Sequence, residues 1–375
     1  MIARVLRWVL VFWGAGCLAA PPALPPRPNT ALNESVIFIP NPALGSELET
    51  TVFKPDGPGP FPLLLLNHGK AFGDPRQQER TRYPVAVREF VRRGYVVVLP
   101  MRGGFARSTG PYVGDGCNIT ANGLAQARDV RAALDYAVTL PYVDRERIVV
   151  AGQSHGGLAT LAFGVQSYPG VRGLLNFSGG LRTKQCANWE DRLVQAFAAY
   201  GRRNRYPSLW VYGDNDSFWP RATIERMVEA YRAGGGPLTL VSVGRFKEDA
   251  HALFRDRDGV ALWWPQVERF LADLGLPTAL VPRPQQVSDP ALQRVLDAGR
   301  ALPSAALRCR KLYEIFVDAD YPRAFVWSAD GRCAVASGGE APLARALKAC
   351  QGAKPTPCRP YVVDDAVHLL PEPAR

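Results

Sequence analysis

The stretch RIVVAGQSHGGLATLAFG, residues 147–164, decides the reading of this chain. Arg147 to Gly152 reads as a strand whose apolar run starts at Ile148, and His155 to Gln166 reads as a helix. Between them Gly152-Gln153-Ser154-His155-Gly156 forms the pattern G-x-S-x-G. A strand that turns directly into a helix leaves its turn residue in strained dihedrals. Glycines two before and two after that residue let the backbones pass without a Cβ in the way. Ser154 Oγ is then expected above the carboxyl edge of a sheet. The His155 backbone N–H lies beside it, at a helix N-terminus whose dipole favours negative charge.

A serine set this way becomes a nucleophile only if a base reaches it, and the chain has four histidines. His68 ends an upstream strand, LLLLN. His155 sits next to Ser154, where its side chain should diverge from Oγ. His368 lies near the C-terminus. His251, in KEDAHALF, follows the last strand of the main domain and is the natural base. An orienting carboxylate is expected from LWVYGDNDSFWP, which ends a strand with Asp214 and Asp216; Asp216 is favoured. Asp249, two residues before His251, reads as a solvated loop acid. Donors for a tetrahedral oxyanion are expected from two backbone N–H groups. One is that of His155. The other is that of Lys70, aimed by a bend at His68-Gly69.

Working outward, SVIFIP and LETTVFKP read as two strands, and LLLLN, YVVVLP, RIVVAG, GLLNFSG, SLWVYG and LTLVSV as further strands. Helical spacing occurs over 83–93, 122–139, 222–233 and 262–274. Strands alternating with helices predict an α/β domain with a mostly parallel sheet over residues 31–276. Proline-rich 277–304 reads as a linker. Residues 305–370 read as a small cysteine-containing α+β module, with a hairpin closed by Asp330-Gly331, a short helix and a last strand. Segment 180–207 is expected to form a lid, with a helix that carries Leu193, Ala196 and Phe197 on one face. Trp189, Phe218 and Trp219 are candidates either for an acyl or aryl pocket or for core packing.

The chain has 375 residues and a formal charge of +11, with 38 arginines and 7 lysines. The arginines are scattered, with no basic run interleaved with aromatics, so nucleic acid is not an expected partner. Arg4 and Arg7, an apolar run from Trp8 to Ala20 and a proline-rich stretch read as a secretory signal peptide, cut near Ala19 or Ala20. Export to the periplasm or medium follows, with a membrane anchor only if Cys17 is lipidated. Six further cysteines in an exported chain point to disulfides. A bond between Cys117 and Cys186 is expected to pin the rim of the site. No CxxC spacing or Cys/His cluster suggests zinc. The four N-x-S/T sequons read as chance.

FPLLLLNHGK, GYVVVLPMRGGFARSTG, IVVAGQSHGGLAT, LWVYGDNDSFWP and AHALF together resemble successive blocks of the α/β-hydrolases. The resemblance is to the dienelactone hydrolase-like and prolyl oligopeptidase-like branch, over about residues 35–275. It implies hydrolysis of an ester or amide of a small molecule or short peptide through an acyl-serine, with no cofactor and no metal. Residue by residue it implies Ser154 as nucleophile, Asp216 as acid, His251 as base, and Lys70 and His155 as oxyanion donors. It also implies that RGGFARSTG, near the floor of the site, is structural. Dienelactone hydrolases proper carry cysteine where this chain has Ser154, which argues against dienelactone as substrate. An ester is the favoured substrate; a peptide, or ligand binding without catalysis, is the alternative.

Overall fold

In the computed structural model, residues 32–114, 116–281, 290–303, 306–319, 322–337, 341–352 and 356–368 are described. The expected signal segment and Cys17 lie outside the described residues.

Three strands make the middle of the sheet, each with an apolar run: Leu63–Leu66, Val96–Leu99 and Ile148–Ala151. They are β3 (Phe61–Asn67), β4 (Val96–Pro100) and β5 (Val143–Gln153), which pair in parallel. Such runs suit strands covered on both faces. Leu63, Leu65, Val96, Val98, Ile148 and Val150 face one layer of core, while Leu64, Leu66, Val97, Leu99, Val149 and Ala151 face the other. The first layer is closed by α2 (Ile119–Ala137), α3 (His155–Phe163), α4 (Trp189–Gly201) and α5 (Arg221–Ala233). The second is closed by α1 (Pro84–Val91) and α6 (Val260–Asp273).

β1 (Glu34–Asn41) and β2 (Ser46–Phe53) form an antiparallel pair, and β2 joins β4 antiparallel. β6 (Val171–Phe177), β7 (Ser208–Tyr212) and β8 (Leu238–Ser242) extend the parallel side. The eight strands run in the order β1-β2-β4-β3-β5-β6-β7-β8. This is the α/β-hydrolase architecture, and the carboxyl ends of β3, β5 and β7 come out on one edge, where open α/β sheets place their ligands.

The small C-terminal unit is built on an antiparallel sheet, β10-β9-β11-β12. Its strands are β9 (Arg323–Trp327), β10 (Cys333–Ser337), β11 (Arg359–Val363) and β12 (Ala366–Val367). The hairpin expected at Asp330-Gly331 joins β9 to β10, with Gly331 at φ 82°. Two departures from expectation appear. Helix α7 (Pro290–Ala301) lies inside the stretch read as a linker. Val295, Ala298 and Leu302 are buried against Tyr313 and Tyr361, whose hydroxyls donate to the Val295 and Ala298 carbonyls at 2.6 and 2.8 Å. Prolines on both sides hid an amphipathic helix. A second helix, α8 (Leu307–Asp318), also escaped the sequence reading. Disulfide Cys309–Cys333 ties α8 to β10, and Cys350–Cys358 ties the end of α9 (Pro342–Gln351) to the start of β11. A core this small gains substantially from such cross-links.

The expected lid is also corrected. From Trp189 on, the expected helix is α4, but its face of Leu193, Ala196, Phe197 and Tyr200 is buried in the domain core rather than set over the site. Phe197 meets Trp210 of β7 edge-on at 5.1 Å. Only residues 180–188 remain as a rim loop, and Cys186 in that loop is bonded to Cys117 as expected.

Candidate active site

Ser154 sits between β5 and α3 at φ 55° and ψ −123°, a conformation that costs a non-glycine residue on the order of 1–3 kcal/mol. The crossing is as tight as the glycine spacing implied. A Cβ on Gly152 would lie 2.2 Å from the Gly156 carbonyl oxygen, and one on Gly156 would lie 2.1 Å from that of Asn67. The turn is locked by Ser154 N–H donating to the Phe177 carbonyl at 3.0 Å and by Gly180 N–H donating to the Ser154 carbonyl at 3.0 Å.

His251 Nδ1 lies 3.0 Å from both Asp216 carboxylate oxygens. Asp216 follows β7, and its Oδ1 also accepts the N–H groups of Phe218 (2.9 Å) and Trp219 (3.2 Å). Asp214 turns away: it accepts from the Ser242 hydroxyl at 2.8 Å and leaves His251 to Asp216. Gln153 Nε2 donates to the His251 carbonyl at 3.3 Å, which ties the His251 loop to the residue before Ser154. Among the described residues His251 Nε2 has no protein partner.

Asp249 differs from the solvated loop acid expected. It is partly buried and accepts the His251 N–H at 2.9 Å, the Ser217 N–H at 3.0 Å and the Ser217 hydroxyl at 2.7 Å. Burial pushes its carboxyl up, but these hydrogen bonds outweigh that and hold it below the usual carboxylate range. It fastens the His251 loop to the Asp216 loop. Its signal in the sequence was its position two residues before a histidine, an Asx-turn placing.

The turn His68-Gly69-Lys70 presses on Ser154, since a Cβ on Gly69 would lie 3.3 Å from Ser154 Cβ. Gly69 N–H donates to the Tyr83 hydroxyl at 3.0 Å, and that hydroxyl donates to Gln153 Oε1 at 3.0 Å. Gln78 grips the turn from outside, accepting the Ala71 N–H at 2.8 Å and donating to the Gly69 carbonyl at 3.2 Å. Among the described residues no protein acceptor takes the N–H of Lys70 or of His155. The Lys70 ammonium folds back on its own loop, donating to the Ala71 and Gly73 carbonyls at 3.0 Å each.

Beneath the turn lies the fully buried guanidinium of Arg102, from the block RGGFARSTG. It donates to the His68 carbonyl (2.8 Å), Gln126 Oε1 (2.9 Å) and His155 Nδ1 (3.1 Å). Its own backbone N–H donates to His68 Nε2 at 3.0 Å. His68 therefore carries its proton on Nδ1, 2.7 Å from the Gly69 carbonyl, and His155 carries its proton on Nε2, 2.7 Å from Asn122 Oδ1. Burial, reinforced by the Arg102 charge, holds both rings well below the ordinary histidine pKa, so both are neutral. Burial lowers Arg102 itself to about 10, against the opposing charge of Asp129. Both segments expected to supply oxyanion donors thus hang on one buried arginine. His368 lies exposed in the small unit.

Around the site, Trp219 is 1% exposed and donates to the Ser178 carbonyl at 2.7 Å, so it belongs to the core. Phe218 and Trp189 are half-buried at the rim. Asn176, one of the sequons, is buried in β6. Among the described residues no group of His, Cys, Asp and Glu gathers as a metal site, and no helix is long and apolar enough to cross a membrane.

Residues 45–205 match the family model of the X-Pro dipeptidyl-peptidases of the S15 family. No curated protein sequence matches the chain. Among solved structures, the chain is similar to a Klebsiella pneumoniae protein assigned as a dienelactone hydrolase. That likeness has 17% identity and a TM-score of 0.45, covering 64% of this chain and 98% of the other. It is similar also to a Pyrococcus furiosus esterase, with 15% identity, a TM-score of 0.48 and coverage of 68% and 96%. The acylaminoacyl peptidase of Pyrococcus horikoshii gives 16% identity and a TM-score of 0.48 over 68% of this chain, which spans only 43% of that peptidase. By its strand order the chain has the α/β-hydrolase fold, with Ser154 at the turn between β5 and α3.

Proposed function

We propose that this chain is an exported serine hydrolase that cleaves carboxylic esters through an acyl-serine. His251 takes the proton of Ser154 Oγ as Oγ attacks the ester carbonyl, and then returns it to the leaving alcohol. Water, activated by the same ring, releases the acid. Asp216 holds the ring by Nδ1 and stabilises the imidazolium that forms in each half. The N–H groups of Lys70 and His155 receive the oxyanion.

The observation that carries the reading is the strained turn at Ser154, with an Asp216–His251 pair at 3.0 Å on the same sheet edge. Three disulfides support an oxidising compartment. An ester is favoured over a peptide because binding a peptide's terminal amine calls for a free carboxylate. Asp216 is engaged by His251 and Asp249 by Ser217. The match to X-Pro dipeptidyl-peptidases favours the second reading, a peptidase.

The test is a panel of p-nitrophenyl esters of increasing acyl length beside an X-Pro p-nitroanilide, with the wild type and Ser154→Ala. Ester turnover that vanishes in the variant, with little on the anilide, supports the proposal. A preference for the anilide establishes the peptidase.

A further inference from the structure

Phe72 is 79% exposed, more than any other large apolar side chain among the described residues. It stands two residues after Lys70, on the loop that supplies an oxyanion donor. Its ring stacks on Phe218, with centroids 5.6 Å apart and planes at 20°. Phe218 in turn lies 4.3 Å from the His251 ring at 31°. Three flat rings from three separate loops thus form one column, from solvent down to the base. The loops are those that follow β3, β7 and β8. Phe218 is fixed by its N–H on Asp216, while Phe72 has no such anchor among the described residues.

A ring this exposed does nothing for the core, since its ring contact is with the rim residue Phe218. It does extend the aromatic surface that begins at the His251 ring, on the loop that carries the Lys70 N–H. Aromatic rings prefer offset-stacked or edge-on partners over aliphatic groups of like size, because their faces and edges carry opposite partial charge. Rim cations are consistent with such a surface: the Lys70 ammonium lies 5.7 Å from the Tyr112 ring and the Arg182 guanidinium 5.2 Å from Trp189.

We infer that Phe72 and Phe218 form an aromatic subsite, and that the substrates are esters bearing an aromatic ring near the scissile bond. The inference rests on the hydrolase reading above and adds the substrate class to it.

The test compares benzyl acetate with cyclohexylmethyl acetate, and ethyl 3-phenylpropanoate with ethyl 3-cyclohexylpropanoate. Within each pair apolar size is matched and only ring character changes. In the wild type, kcat/KM should favour the phenyl member of one pair by roughly three- to tenfold, the worth of one aromatic contact. Phe72→Ala should bring that ratio close to one, and Phe72→Trp should keep it. Because the side chain is exposed, both variants should fold. A wild-type ratio near one, or a ratio unmoved by Phe72→Ala, overturns the inference and leaves the hydrolase reading standing. Absence of turnover on all four esters, with no labelling of Ser154 by a fluorophosphonate, overturns both.

Discussion

His251 Nδ1 is equidistant, at 3.0 Å, from the two carboxylate oxygens of Asp216, while Asp214, two residues earlier, bonds Ser242 instead. The adjacent acids therefore separate cleanly by mutation. Asp216→Asn should lower kcat/KM on an ester by about 10³- to 10⁴-fold, since an amide N–H facing Nδ1 imposes the wrong tautomer. Asp214→Asn should change it by less than about threefold, as expected of a partly exposed acid. Steady-state kinetics on the two variants checks both.

Asp249 holds the His251 backbone rather than its ring. Asp249→Ala should cost roughly ten- to a hundredfold in kcat, because the base is displaced by about an ångström. Asp249→Asn keeps an acceptor oxygen for the His251 and Ser217 N–H groups and should stay within about threefold of wild type. Equal losses in the two variants would assign Asp249 an electrostatic role instead.

His68 and His155 are buried neutral, with folded-state pKa values well below normal, chiefly through burial. On unfolding each ring returns to about 6.5 and takes up a proton. Stability is therefore full above about pH 6.5 and falls as the pH drops below it. The slope from these two rings reaches about 2.7 kcal/mol per pH unit. Calorimetry near pH 5.5 in buffers of different ionisation enthalpy should find about two protons taken up on unfolding. Uptake near zero would mean that the rings are charged in the fold.

Disulfide Cys117–Cys186 spans 69 residues and joins the loop before α2 to the rim loop before α4. On the chain-entropy account it stabilises the fold by about 4 kcal/mol. Cys117→Ser with Cys186→Ser should lower the denaturation midpoint accordingly, and non-reducing peptide mapping of the wild type should find the two cysteines in one linked fragment.

Much of the fold was legible because the central strands are covered on both faces. Leu63 to Leu66 and Val96 to Leu99 then read as unbroken apolar runs, and the glycines around Ser154 are forced by a crossing too tight for a Cβ. Ser154, Asp216 and His251 were legible as an ordered set at strand ends. Arg102 was legible only as part of a resembling block. Its role depends on a carbonyl at His68 and a ring at His155, contacts between distant segments that no local spacing encodes. Phe72 lacked any periodic partner, because its neighbour Phe218 comes from a loop far along the chain. Helix α7 was hidden by flanking prolines, although Val295, Ala298 and Leu302 carry helical spacing.

The central claim is that Ser154 is an activated nucleophile. Treating the folded protein with a fluorophosphonate and mapping the adduct by mass spectrometry tests it most directly. The account predicts a single adduct on Ser154, absent from Ser154→Ala and from heat-denatured protein, and strongly reduced in His251→Ala. An unlabelled folded protein, or equal labelling of Ser154→Ala, would contradict it.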